Sequence, residues 1–261
     1  MACLALLLGL ASACAGLPTQ TGAPSALPSP QEVMSRLEAR RVAVRSFALQ
    51  GEIELKGPEG ELYGDHLIQG IFPDRLRAEV LGPFGRPLLL VVTDGRRLVA
   101  LDYQANRAYR GPASRRNLAR FLGLGLSAGE IYALLSGSPP LIPAHQRRVI
   151  PGAEPGRAQL RLLGPGDAVL ESVTFELGDY TVLRAWLRRG DGGEDGPALK
   201  CNYGEFRPAP GGRRFPARVE VQDARGHTVR LLSEQLLVNP RLDGRLFEPA
   251  APPGMQEVEL P

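Results

Sequence analysis

From Ser46 onward the chain alternates apolar and polar residues with a period of two, and this restricts the fold more than any other feature. In SFALQGEIEL, Phe47, Leu49, Ile53 and Leu55 are apolar, with Gln50, Glu52 and Glu54 between them. Successive side chains of a strand point to opposite faces, so such a segment buries one face and wets the other. The turn KGPEGE leads into YGDHLIQGIF, Pro73-Asp74 into RLRAEVLG, and GPFG into RPLLLVVTDG; RRLVALD and RAYRG follow. Short strands joined by tight turns imply an antiparallel meander. A second series begins after an irregular loop near residues 138–156. It runs through AQLRLLG, VLESVTFELG, TVLRAWLRRG, ALKCNYGEF, RFPARVEVQD and HTVRLLSEQLLV. The tail RLFEPAAPPGMQEVEL offers one more short strand.

Three segments change to helical spacing. Ser29 is an N-cap, Pro30 a first helical residue and Glu32 the third residue after the cap, with Val33 and Leu37 four apart behind them. SRRNLARFLG places Leu118, Phe121 and Leu122 on one face and ends at Gly123. In SAGEIYALLSG, Ser127 and Glu130 form a capping box, and Ile131, Leu134 and Leu135 make the apolar face. A sheet this long must curl or be covered. The fold expected is mainly β with helices (α+β). A strongly curved antiparallel sheet of about eleven strands forms an open half-barrel around about three helices.

The N-terminus reads differently. MACLALLLGLA is apolar but too short to span a bilayer, and suits the core of a signal peptide. Ala11-Ser12-Ala13 before Cys14 serves either an ordinary signal peptidase or, as a lipobox, the acylation of Cys14. Residues 15–31 carry no charge and four prolines, the composition of an extended tether. The organisation expected is a lipoprotein signal peptide over 1–13, a flexible tether over 14–29, and one folded domain over 30–261.

Few residues lend themselves to catalysis. His66, His145 and His227 lie in unrelated segments, and no HxxxH or CxxC spacing occurs. No catalytic residue, metal site or cofactor is expected. The net charge of +3 comes from scattered arginines interleaved with acids, without a basic block, so nucleic acid is not an expected partner. Two aromatics stand out. Trp186 shares a strand face with Arg184 and Arg188, which reads as a surface ring under arginine stems or as a partner contact. Phe84, between Pro83 and Gly85, caps a hairpin where it has little to pack against.

These residues resemble the LolB-like lipoproteins of the LolA/LolB lipoprotein-carrier family. LGPFG is similar to the family's N-P-L-G hairpin. NLARFLGLGLSAGEIYALLSGSPP resembles its helix, L-G turn and second helix, with Tyr132 or Ala133 where the family carries Trp. KCNYGEF and FPARVEVQDARGHTVRLLSEQLLVNP resemble its final hairpins. The resemblance implies a monomeric, non-enzymatic receptor at the periplasmic face of the bacterial outer membrane. Such a receptor is lipid-anchored through Cys14 and takes lipoproteins from a soluble periplasmic LolA-like carrier. It also implies that acyl chains lie in an apolar hollow, faced by Phe47, Leu49, Val80, Leu90, Phe175, Leu183 and Val219. Phe84 becomes the membrane-insertion tip. The alternative is a non-enzymatic envelope lipoprotein that binds another hydrophobic ligand or a protein partner.

Overall fold

The computed structural model describes residues 27–58, 60–188, 198–249 and 251–261. Cys14, the expected signal peptide and most of the expected tether lie outside the described residues.

The chain opens with α1 (Pro30–Ala43), where the Ser29 hydroxyl accepts the Glu32 N–H at 3.1 Å. A meander follows: β1 (Ser46–Gly57), β2 (Gly60–Ile71), β3 (Arg75–Leu81), β4 (Pro87–Thr93), β5 (Arg97–Asp102) and β6 (Arg107–Pro112). Two short helices come next, α2 (Arg115–Leu122) and α3 (Ala128–Leu135). Gly123 ends α2 in the left-handed region, and both halves of the Ser127–Glu130 capping box are made. The second meander is β7 (Gln146–Pro151), β8 (Arg157–Leu163), β9 (Val169–Glu176), β10 (Val182–Arg188), β11 (Ala198–Ala209), β12 (Arg213–Asp223) and β13 (Thr228–Val238). A last strand, β14 (Gln256–Glu259), lies parallel to β6.

The fourteen strands among the described residues form one unclosed sheet, in the order β14-β6-β5-β4-β3-β2-β1-β13-β12-β11-β10-β9-β8-β7. The two meanders meet where β1 pairs with β13. Fourteen strands replace the expected eleven. One addition, β7, occupies the stretch read as an irregular loop. It is an edge strand whose QRRVIP residues are all exposed or half-buried, so no apolar alternation marks it.

The helices lie on the inner face. Leu118 of α2 and Tyr132 and Leu135 of α3 pack with Phe47, Ile68 and Val91 of the first meander. Val33 and Leu37 of α1 pack with Leu160, Phe175 and Val219 of the second. Outside, Leu90, Val92, Leu101 and Ala108 of β4–β6 are covered by Phe247 and the segment leading to β14.

Tyr132 joins these parts. Its hydroxyl donates to the Val44 carbonyl at 2.9 Å, and its ring lies 4.9 Å from Phe47 and 5.9 Å from Phe72. Tyr132→Phe keeps the packing but strands a buried carbonyl. It is expected to lower unfolding free energy by about 1–2 kcal/mol. An unchanged midpoint in urea would show that the bond contributes nothing.

Candidate functional site

The inner face of the first meander does not close completely onto α2 and α3. Between them lies a cavity of about 90 Å³. The sheet contributes Ile53 and Leu55 from β1, Ile68 from β2, Val80 from β3, and Leu89 and Val91 from β4. Leu118 and Leu122 of α2 and Ile131 and Leu135 of α3 roof it, and Val219 and Val229 close the side toward β12 and β13. The cavity runs from the row Leu55–Val229 down to Leu76 and Thr93, which face each other across β3 and β4. A surface depression beside the β1–β2 turn shares Leu55, Leu122 and Val229 with it, which makes that rim the side of the cavity nearest the surface depression.

Of the residues expected to face a hollow, Val80 and Val219 line this cavity. Phe47 and Leu49 are buried in the same inner core, away from the cavity wall. Phe175 is buried in the second core, stacked on Tyr180 at 5.6 Å. Two expectations are corrected. Leu90 faces the opposite way, into the outer cluster with Leu101 and Phe247, while Leu89 and Val91 point inward. PLLLVVT is apolar on both faces of β4, so alternation carries no phase there. Leu183 falls at a bulge against β9, so Val182 and Ala185 take the buried positions and Leu183 is only half-buried.

Phe84 sits in the turn Pro83–Gly85 between β3 and β4 and is fully exposed. β1 and β3 run in the same direction, each antiparallel to β2, so this turn lies at the same end of the sheet as the β1–β2 turn. The backbone at Phe84 is left-handed (φ 62°, ψ 24°), a region that costs a bulky residue about 1–2 kcal/mol. The β8–β9 turn is a natural control. There Gly164-Pro165-Gly166 copies Gly82-Pro83-Phe84, with Gly166 at φ 66°, ψ 25° and the same 2.8 Å closing bond, Gly164 N–H to Ala168 O against Gly82 N–H to Arg86 O. One of two matching turns thus holds a glycine where the other holds a strained, unpacked phenylalanine.

Among the buried groups whose placement the sequence reading did not give, His66, Glu171 and Cys201 are titratable. His66 lines the cavity, and burial pulls its imidazole down to about 4, so the ring is neutral. Glu171 on β9 is completely buried, and burial pushes its carboxyl up to about 8 although Oε2 accepts the Ile142 N–H at 2.9 Å. Cys201 on β11 is buried and free, its thiol pushed up to about 12 by burial and so inert as a nucleophile. Glu171 shares strand parity with Val173 and Phe175, and His66 with Ile68; those phases were the available signals. Trp186 is half-buried, with the Arg188 guanidinium 5.6 Å from its ring. Among the described residues no three His, Cys, Asp or Glu side chains gather as a metal site.

An open, mostly antiparallel sheet with helices in its concavity and an apolar cavity beneath them defines an open half-barrel. No family model matches the chain, and no curated protein matches it. Solved structures do. A LolA superfamily protein from Nitrosomonas europaea superposes with a TM-score of 0.53 at 14% identity, over 85% of this chain and 98% of that one. A structure from Vibrio parahaemolyticus described as an outer membrane lipoprotein-sorting protein domain gives 0.53 at 12%, over 84% and 97%. A DUF1329 family protein from Desulfovibrio piger gives 0.52 at 12%, over 84% and 95%. The chain has the LolA-like fold.

Proposed function

We propose that the protein is a lipid-anchored receptor that takes up lipoproteins and inserts them into the outer membrane. Cys14 is its acylated residue, Phe84 its insertion tip, and the cavity under α2 and α3 its acyl site. The observation that carries this reading is the pairing of an apolar cavity with an exposed, strained Phe84 at the same end of the sheet. Each buried methylene contributes about 0.8 kcal/mol, so such a cavity shields acyl chains without any covalent step. The likeness in fold to a lipoprotein-sorting domain supports the same reading. A soluble LolA-like carrier is the proposed donor.

A single water-sized group takes roughly 10–15 Å³ of such space, so 90 Å³ accepts a short run of methylenes. Full acyl chains therefore require α2 and α3 to lift from the sheet. That size also favours the second reading, an envelope lipoprotein for a smaller hydrophobic ligand. Mass spectrometry of co-purified lipid separates them: triacylated peptide supports delivery, free lipid the alternative.

Photo-crosslinking tests the cavity directly. A crosslinker at Val91, on the cavity wall, is expected to capture a lipoprotein acyl chain; one at Leu90, on the outer face, is not. Equal yields from the two positions would overturn the assignment.

A further inference from the structure

The cavity wall is interrupted by one inward-facing device that its apolar role does not need. His66 is fully buried, with Nδ1 3.0 Å from the Glu52 carbonyl. A carbonyl only accepts, so Nδ1 carries the proton and Nε2 presents a lone pair. Ser233 Oγ lies 3.4 Å from Nε2, a long bond, and Ser233 is itself 2% exposed.

This pair is assembled by a distortion of the sheet. The β1–β13 register shifts between Gln50 and Gly51, so that Gly51 faces Ser233 while Gln50 faces Gln235. A Cβ at Gly51 would lie 2.0 Å from the Leu232 carbonyl oxygen, so only glycine allows β13 this close. Ser233 shares a strand face with Leu231 and Val229, which line the cavity; Ser233 itself is not part of the wall and adjoins it through His66. The other polar lining residues are already committed. Thr93 Oγ1 accepts the Gly95 N–H at 2.9 Å, and Glu79 pairs with Arg77 at 3.0 Å.

We propose that His66 and Ser233 form a hydrogen-bonding station inside the cavity for an acyl chain that carries a hydroxyl. The inference rests on the acyl-cavity reading above and adds the substrate class. A hydroxyl has one donor and an acceptor oxygen. It donates a hydrogen bond to His66 Nε2 and accepts one from Ser233 Oγ–H, replacing one long bond by two good ones. Depth excludes a ligand's ionic head. The station lies four residues along β2 from Leu62, which faces Leu55 in the rim row, or about 13 Å in. A carboxylate there would lose its hydration and meet the lone pair of a neutral ring. A hydroxyl part-way along the chain loses far less.

The test is displacement of a fluorescent fatty acid from the purified protein by 12-hydroxyoctadecanoic acid and by octadecanoic acid. The hydroxylated acid is expected to bind about five- to tenfold more tightly. His66→Leu should bring the two affinities together. Ser233→Ala, which only removes an oxygen, should narrow the ratio on its own. Equal affinities in the unsubstituted protein, or a ratio that survives both substitutions, overturns the station and leaves the cavity standing. Failure of both acids to bind the unsubstituted protein overturns the cavity reading and the station with it.

Discussion

Glu171→Gln should remove most of a pH dependence from the stability of this protein. Glu171 is held near 8 in the folded chain against 4.5 for a free carboxyl, because burial disfavours its charge. Between these values the unfolded chain releases a proton that the folded chain keeps. Stability therefore falls as pH rises from 4.5 to 8 and levels off above. Full expression of that shift is worth up to about 5 kcal/mol. Gln keeps an oxygen for the Ile142 N–H and cannot ionise, so the segment between α3 and β7 stays docked on β9. The readout is the difference in unfolding free energy between pH 5 and pH 9 by urea titration. That difference should shrink by roughly 2–5 kcal/mol in the variant. Parallel pH profiles for the two proteins would show that Glu171 is ionised in the folded state.

The second large effect is expected at Phe84, where stability and function separate. Phe84→Gly relieves left-handed strain but loosens the unfolded chain, and these oppose each other. The matching turn at Gly166 shows that glycine is accommodated, so the melting temperature should hold or rise slightly. Phe84→Glu should also leave the fold within about 0.5 kcal/mol, because the ring has no packing to lose. Entry of a phenylalanine ring into the apolar part of a bilayer contributes about 1.5–3 kcal/mol. Vesicle binding by protein lacking the proposed acyl anchor at Cys14 should therefore fall at least tenfold in either variant, and lipoprotein insertion should fail with Glu. Normal insertion by a folded Phe84→Glu protein would remove the tip from the mechanism.

The helices were legible because their signals are local. Ser29, Ser127 with Glu130, and Gly123 each act within one turn, and all three are found in those roles. Most strands were legible from alternation, and Phe84 from its position between Pro83 and Gly85. What failed was phase. β4 is apolar on both faces, so Leu90 gave no sign of which way it pointed, and the bulge at Leu183 moved the pattern by one residue. β7, wet along its length, carried no pattern at all. The His66–Ser233 pair was beyond reach for another reason: 167 residues separate its members, and a bulge no spacing rule announces brings them together.

The seam between the two meanders has a kinetic consequence. Every other antiparallel pairing in the sheet joins neighbours in the chain, so each meander can zip from local hairpins in microseconds to milliseconds. β1 and β13 cannot. Their closure is clamped by Asn239, whose side chain accepts the Arg45 N–H at 2.7 Å from 194 residues away. Until that late encounter, both strands present naked hydrogen-bonding edges beside apolar faces, the usual opening for aggregation. The chain is therefore most vulnerable after its secondary structure has formed and before its halves meet, which makes seam residues such as Leu49 and Leu236 the positions that set its yield on refolding.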